Sequence, residues 1–496
     1  MMGPIQSSEP KLFHYGVNLE KRVRANNPLR RIQELIDFSF VRAEVAERYG
    51  RDGHESEDPI VIVKLMLLLF LDDIASEREL MRIVAERMDY LWFLGFDLDE
   101  EIPDHSVVSK ARRRWGPETF RSIFVVIVEA CVKAGLVDGG KIHMDGSMID
   151  ANASRESVRS GPPELIEALM EAYRREEAKL ESSEPDKDDD EGKVRGRESD
   201  REQRTVSQTD PDAVVMRKRG QGVARPRYKS HRAIDDRCGV ITAVETTAGD
   251  VGENQKLVSL IEQHEAQTGQ KVGVVVADAQ YGTNDNFAEC HRRGIRSHMA
   301  DLKARHSNEA QRRGIFTEEQ FQYDAEMDSY ICPAGQQLKR APSVQDNFQV
   351  YRGSRKICGS CSLRAQCTRA KKSREIKRHI QYERIREARI ESHSGWAKRD
   401  RRRRKHLMEG SFADAATNHG FKRARWRRLP NVRIQDWLIA SCQNIRMLLQ
   451  HHGRRHAAAM AVVADPSSSG RPTWSQFFRL SAAIRRSRFL AATVWE

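Results

Sequence analysis

The amino-acid sequence predicts an all-helical N-terminal region followed by a mixed α/β domain in which helices flank a sheet. Apolar residues recur with helical spacing up to about residue 135. Beyond Gly140, short apolar runs bounded by turn residues alternate with amphipathic segments. This order of strands and helices is typical of a sheet that contains both antiparallel and parallel neighbours.

Composition narrows the functional classes. The chain has 496 residues, enough for two or three domains, and a formal net charge of +12, which suits a polyanion-binding surface. Its most apolar run, 60–71, includes Lys64 and is too short to cross a bilayer. The N-terminus lacks an apolar signal region, and the eight cysteines are mostly scattered. We therefore expect a cytoplasmic protein without a membrane partner.

Several helices are predicted before residue 135. "SERELMRIVAERMDYLWFLG" (76–95) shows helical spacing behind a capping box formed by Ser76 and Glu79. "IPDHSVVSKARRRWG" (102–116) predicts a short basic helix, which is either the reading helix of a helix-turn-helix-like unit or the solvated end of a bundle. Its basic residues, candidates for DNA binding, are Lys110, Arg112, Arg113 and Arg114.

The second half begins with three predicted strands that can form an antiparallel meander. A helix over 254–269 then crosses over to a fourth strand, 271–277, which is followed by a helix near Asn284 and a fifth strand. The first three strands and the fifth are "GKIHMDGSMIDA" (140–151), "RYKSHRAID" (227–235), "GVITAVETTAG" (239–249) and "IRSHMA" (295–300).

Two aspartates belong to the first and fourth strands of this order. If the helical crossover returns the fourth strand parallel to the first, Asp145 and Asp278 become neighbours although they are 133 positions apart (278 − 145). Taken alone, the sequence around Asp278 favours a capping or turn residue over a functional one. Adjacent carboxylates repel each other unless a cation lies between them, and Mg²⁺ or Mn²⁺ prefers such oxygen ligands.

A third carboxylate is expected from the basic C-terminal region. Glu409 lies in a predicted helix directly after the run Arg401–Arg404, which would attract a phosphate backbone. Spacing alone leaves rival glutamates, namely Glu383, Glu387 and Glu391.

Two further segments stand out. Residues 155–207 are dense in charge and nearly devoid of apolar residues, which predicts a flexible insertion, with a helix over 163–180 as its one candidate element. Cys332, Cys358, Cys361 and Cys367 follow the spacing C-x25-C-x2-C-x5-C. This spacing suggests a closed Zn²⁺ site, and the alternative is a set of reduced cysteines in a compact insert.

The motifs "HMDGSMIDANAS", "VVADAQYGTNDN" and "MEGSFADAATNHGFKRARWRR" occur in this order. Together with the N-terminal helices they resemble bacterial insertion-sequence transposases of the DDE type. The resemblance implies an RNase H-like catalytic domain whose triad is Asp145, Asp278 and Glu409, with two Mg²⁺ or Mn²⁺ ions. It also implies that the partners are DNA, as terminal inverted repeats and target, and that the protein is a nucleoid-associated homo-oligomer when it pairs two DNA ends.

This resemblance gives the expected domain organisation. A DNA-binding helical domain spans 1–140 and a catalytic domain spans 141–455, interrupted by the charged insertion 155–207 and a cysteine-containing insertion 315–380. A tail follows over 456–496. The expected DNA contacts of the C-terminal region are Arg401, Arg402, Arg403, Arg404, Lys422, Arg423 and Arg425.

One departure from the family pattern leaves alternatives open. Related sequences usually carry a lysine seven residues after the glutamate, where this chain has Ala416. Lys422 or Arg423 could substitute for it. The alternatives are a catalytically weakened or inactive, transposase-derived DNA-binding protein and a host nuclease on the same fold.

Overall fold

The structure is a computed structural model. It describes residues 2, 18–50, 56–162, 164–168, 171, 204–217, 223–301, 313–345, 347–370 and 372–464. The chain divides into two compact units, Met1–Met447 and Leu448–Glu496. In the second unit, the described residues continue the last helix as far as Ala464. None of the described helices is long and apolar enough to cross a membrane.

Seven helices form the N-terminal region of the described chain, and their starts follow from local sequence. Asn27 and Asp58 each accept a backbone N–H at a helix start, with proline at the first helical position, and Ser76 caps the fifth helix. The helices are α1 (Leu19–Arg22), α2 (Pro28–Leu35), α3 (Phe40–Val45), α4 (Pro59–Leu71), α5 (Glu77–Glu86), α6 (Met88–Leu94) and α7 (Ser106–Lys133).

The apolar run at 60–71 is the buried centre of this region. Helix α4 is apolar on all sides, and neighbouring helices cover it. Its buried Lys64 donates a 2.6 Å hydrogen bond from Nζ to the carbonyl of Phe93. Burial lowers the pKa of Lys64 to about 8.

Helix α7 joins two segments that the sequence predicts as separate helices. The break falls at Gly116, whose φ of 70° lies in the left-handed region, and Pro117 follows it. Because proline suits the first turn of a helix, the chain turns at Gly116 and resumes a helix at once.

The main sheet has the mixed topology that the sequence predicts. Strand β1 lies between β5, which is antiparallel to it, and β7, which is parallel to it; β6 pairs with β5 and β8 with β7. The strands are β1 (Lys141–Asp150), β2 (Val158–Gly161), β3 (Arg204–Ser207), β4 (Val214–Met216), β5 (Arg225–Asp235), β6 (Ile241–Ala248), β7 (Val274–Ala277) and β8 (Arg296–Met299).

The remaining helices of the α/β region flank this sheet. Helix α8 is the predicted crossover between β6 and β7, and α9 connects β7 to β8. These helices are α8 (Leu257–Thr268), α9 (Asn284–Arg292), α12 (Tyr382–Ser392), α13 (Gly395–Asn418) and α14 (Leu429–Ala464). The mixed sheet, its helices and the helical N-terminal region confirm the predicted fold class.

The cysteine-containing insertion folds as a second sheet with a small core of its own. All of its strands are antiparallel, in the order β13-β12-β11-β10-β9. Its elements are β9 (Gln322–Asp324), β10 (Ser329–Ile331), β11 (Gln337–Gln345), β12 (Phe348–Arg352), α10 (Arg355–Gly359), α11 (Arg364–Cys367) and β13 (Glu375–His379).

The two ends of the charged segment 155–207 are ordered, because β2 and β3 pair antiparallel and extend the main sheet through β4. Residues 164–168 are helical. The rest of the flexible insertion predicted over 155–207, apart from residue 171, lies outside the described residues, as does the predicted tail 456–496 from residue 465 onward.

A buried ion pair fixes α14 to the sheet. Arg232 of β5 and Asp436 of α14 are both fully buried, with Nη2 and Oδ1 2.7 Å apart. Arg232 also donates to Gln443, and Thr246 of β6 donates to Asp436. Phe421 covers the guanidinium at 4.6 Å. Every charged atom of the pair therefore has partners in the interior.

Asp436→Asn should destabilise the protein by about 3–5 kcal/mol, because it leaves the Arg232 charge buried without its counter-ion. The free energy of unfolding from urea titration checks this. Arg82→Gln is the matched control, since it removes an exposed ion pair with Glu79 and should lower the free energy of unfolding much less than Asp436→Asn. Equal losses in both variants would contradict this role for the buried pair.

Candidate metal centre and basic surface

Three carboxylates converge on the main sheet: Asp145 lies in the middle of β1, Asp278 directly follows β7, and Glu253 lies in the segment after β6. The parallel register pairs Lys141 with Val274 and His143 with Val276, an offset of 133 residues that also separates Asp145 from Asp278. The predicted proximity of these two aspartates is confirmed, and Glu253 joins them. One oxygen of each of the three carboxylates lies within 4.8 Å of the others.

Glu253 reaches the aspartates because β6 ends at the same edge of the sheet. Since β5 is antiparallel to both β1 and β6, β6 runs in the direction of β1. The chain turns after Ala248 and brings Glu253 against Gly146 of β1. A Cβ on Gly146 would lie only 3.0 Å from Oε1 of Glu253, so the glycine makes room for this carboxylate.

The environment of Glu253 opposes its negative charge. The residue is 8% exposed, and its Oε2 atom has no hydrogen-bond partner. Burial is the main cause that raises the pKa of Glu253 to about 7; the charges of Asp278 and Asp145 contribute to this shift, and Lys229 and Arg404 oppose it. Carboxylates in this position gain stability from any cation that reaches them.

The cation beside Asp145 in this structure is Arg404 of α13. Its Nη1 atom donates to Oδ2 of Asp145 at 2.7 Å. One helical turn earlier, the buried Asp400 accepts a hydrogen bond from Lys141 of β1 and pairs with His298 of β8. Asp400 and Arg404, which have opposite charges, therefore both hold α13 against the sheet. Burial raises the pKa of Asp145, and the Arg404 guanidinium opposes this shift.

The structure does not bring Glu409 into the carboxylate group. The inward face of α13 contains Asp400, Met408 and Ala415, which are buried. Glu409 follows Met408 by one residue, which turns its side chain by about 100° around the helix, and it is exposed. Its rivals Glu383, Glu387 and Glu391 are also outside the group.

Comparison with known proteins identifies two family domains. Residues 17–114 match the model described as "Transposase domain (DUF772)", and residues 331–449 match "Transposase DDE domain". The resemblance to DDE-type transposases is confirmed. No curated protein matches the chain.

Among solved structures, the chain is similar to a piggyBac transposase in a synaptic complex with hairpin DNA. The two share 9% identity over 86% of this chain and 76% of that chain, with a TM-score of 0.34. A similarity at this level carries no argument about the carboxylate group.

The four cysteines of the transposase DDE region line one cavity in the second sheet. Burial raises the pKa of the Cys367 thiol, and the nearby thiols of Cys332, Cys358 and Cys361 contribute. The Gln336 backbone N–H donates to Sγ of Cys332 at 3.3 Å. No three of these four sulfurs lie within 4.8 Å of one another, so a shared metal ion would draw them together.

The predicted basic helix is only partly available to DNA. Arg112 is buried, paired with Glu77 and stacked on Trp426 at 3.7 Å. The expectation that Arg112 contacts DNA is therefore wrong for this structure, because its guanidinium connects two parts of the protein. Lys110, Arg113 and Arg114 are exposed.

The basic residues of the C-terminal region also include some that are bound within the protein and others that are exposed. Arg425 donates to Asp73 and to the carbonyl of Ile74, and it is partly buried. Arg401 donates to the carbonyl of Ser392, and Arg403 pairs with Asp236. The exposed members of the set are Arg402, Arg403, Lys422 and Arg423.

Lys422 lies close to the carboxylates. Its Nζ atom donates to Oγ of Ser147, two residues beyond Asp145 in β1, at 2.9 Å. The adjoining backbone is held to the end of β1, because Asp150 donates to the carbonyl of Lys422 and accepts from Ala424.

Metal-free protein should lose stability relative to Glu253→Gln as pH rises. The ordinary pKa of a glutamate is 4.5, and the pKa of Glu253 in the folded protein is about 7. At a pH between these two values, folding is therefore accompanied by the uptake of a proton. The folded state is therefore penalised progressively through this window, by about 3 kcal/mol once Glu253 is ionised in both states. Urea titrations in a chelator at pH about 5 and about 8 measure the difference between the proteins. A difference that does not change with pH would contradict the burial of this charge.

Proposed function

We propose that this protein is a DNA transposase that binds the terminal inverted repeats of an insertion sequence, hydrolyses phosphodiester bonds at those ends and transfers the freed 3′-hydroxyls to target DNA. The observation that carries this proposal is the proximity of Asp145, in the middle of β1, to Asp278, directly after the neighbouring strand β7, with the buried carboxylate of Glu253 beside them. The family matches at both ends of the described chain support the same reaction class.

Asp145 and Asp278 would hold Mg²⁺ or Mn²⁺, and the donor set fits such ions because it consists of carboxylate oxygens, one of them buried without a partner. When bound, two such ions activate a water or a 3′-hydroxyl and stabilise the leaving oxygen. The resemblance adds Glu409 as the third ligand, and its exposed position on α13 makes that role depend on a rearrangement or on DNA.

The basic residues around the carboxylates would hold the DNA backbone. Lys422 is the cation best placed to bind a phosphate near Asp145. It would thereby take the role of the family's lysine, whose position is occupied by Ala416 in this chain. Arg402, Arg403 and Arg423 would extend this grip, and Lys110, Arg113 and Arg114 would contribute from the helical region. We place the reaction in the cytoplasm at the nucleoid, with a homo-oligomer pairing the two DNA ends.

A second candidate is a transposase-derived protein that binds DNA without cutting it. Ala416 favours this reading, as does the Arg404 guanidinium bound to Asp145. A host nuclease is the third candidate. It would cut DNA that lacks element ends, whereas inverted repeats flanking the gene favour transposition.

Asp278→Ala should abolish metal-dependent nicking at the repeat boundaries while largely sparing DNA binding, because it removes a metal ligand and leaves every basic residue in place. Purified protein is incubated with DNA carrying the element's ends, with Mg²⁺ or Mn²⁺, and the 3′-hydroxyl ends are mapped. Gel shifts on the same DNA report binding.

The outcomes separate the candidates. Nicks at the boundaries that vanish with Asp278→Ala support the proposal. Binding without nicks in either protein supports the inactive derivative, and full activity of the variant would disprove the assignment of Asp278.

We also propose that Cys332, Cys358, Cys361 and Cys367 hold one structural Zn²⁺ ion. Four thiols on one cavity, with a backbone N–H directed at Cys332, match the chemistry of a closed Cys₄ site. Such an ion would fix the short helices α10 and α11 to the second sheet.

Purified protein should contain about one zinc per chain, and Cys361→Ser should lose it together with thermal stability. Elemental mass spectrometry measures the metal. Cys238→Ser is the control, because Cys238 is exposed and lies outside the second sheet. Zinc retained by Cys361→Ser, or absent from the unsubstituted protein, would reject this site.

A further inference from the structure

Glu253 is the one carboxylate of the group that neither motif spacing nor family resemblance indicates. It precedes the crossover helix α8, in the turn that follows β6. Its position next to Gly146 brings its carboxylate to the aspartates, although it lies more than a hundred residues from Asp145 in the sequence.

A purely structural role accounts poorly for this side chain. Buried carboxylates are ordinarily satisfied by donors, because an unpaired charge in the interior is costly. Oε2 of Glu253 has no partner, although the residue is more than nine-tenths buried. The nearby buried hydroxyl of Tyr281 also lacks a hydrogen-bond partner. The site therefore contains unused polar atoms beside two further carboxylates.

The nearby cations do not bind the unpaired Oε2 atom of Glu253. Arg404 donates to Asp145, and Lys229 donates its 3.0 Å hydrogen bond to the carbonyl of Val251. A small divalent cation suits a site with one buried, unpaired oxygen and two half-buried carboxylates. Such a cation binds several oxygens at short distances.

We propose that Glu253 is the third metal-binding carboxylate of the site, together with Asp145 and Asp278, and that Glu409 is not required for metal binding by the DNA-free protein. This inference rests on the proposed function, since it assigns a further ligand to the same centre. It follows that the metal ligands come from β1 and from the segments that follow β6 and β7, and that α13 contributes none of them.

The test is Mn²⁺ binding to the full-length protein without DNA, measured by electron paramagnetic resonance of the free ion. Glu253→Gln keeps the shape of the side chain and removes its charge, and it should weaken Mn²⁺ binding about tenfold or more. Asp278→Asn should do the same. Glu409→Gln should bind Mn²⁺ like the unsubstituted protein.

A second variant tests Glu253 without changing any ligand. Gly146→Ala places a methyl group 3.0 Å from Oε1 of Glu253 and should weaken Mn²⁺ binding by displacing that carboxylate. Gly140→Ala is its matched control, because nothing lies within 4 Å of the added methyl at the start of the same strand. Circular dichroism confirms that each variant is folded.

The outcomes distinguish this inference from the proposed function. Loss of binding in Asp278→Asn and Glu409→Gln, with Glu253→Gln unaffected, overturns the role of Glu253 and retains the centre. Absence of Mn²⁺ binding by the unsubstituted protein overturns both. Loss in Glu253→Gln and Gly146→Ala, but not in Glu409→Gln and Gly140→Ala, supports the inference.

Discussion

The parallel pairing of β1 with β7 is the constraint on which the site depends. Because β1 has an antiparallel partner on one edge and a parallel partner on the other, the middle of β1 lies beside the carboxyl end of β7 and near the segment that follows β6. Asp145 and Asp278 become neighbours through this register alone. The crossover helix α8 makes the pairing possible, and its preceding turn contributes Glu253.

Electrostatics then determines what can occupy this edge. The carboxylate of Glu253, which is buried, and those of Asp145 and Asp278, which are half-buried, repel one another. The described residues offset this repulsion through the ion pair from Arg404 to Asp145 and through backbone N–H groups that donate to Asp145 and Asp278. The guanidinium comes from a helix that is fixed to β1 one turn earlier by Asp400 and Lys141. A divalent cation and Arg404 would compete for the same oxygens of Asp145, so the helix position and metal occupancy are linked.

Much of this arrangement could be predicted from sequence, because strand and helix periodicity fix the element order and the order fixes which strand ends meet. Glu253 could not be singled out, since Glu245 and Asp250 belong to the same strand and turn and only the path of the turn selects among them. Arg112 shows a second limit. A cation in a basic run looks exposed in sequence, yet Glu77 and Trp426 bury it through contacts that no local pattern indicates.

The chain from Phe421 to Trp426 contacts both halves of the first unit. Phe421 covers Arg232 of the sheet, Lys422 and Ala424 bond to the end of β1, and Trp426 packs on Phe70 of α4. These six residues therefore act as a mechanical coupling between the helical region and the carboxylate-bearing strand. A displacement of the helical region relative to the sheet would disturb the same segment that bonds to β1, so the position of the helices and that of the strand carrying Asp145 depend on each other.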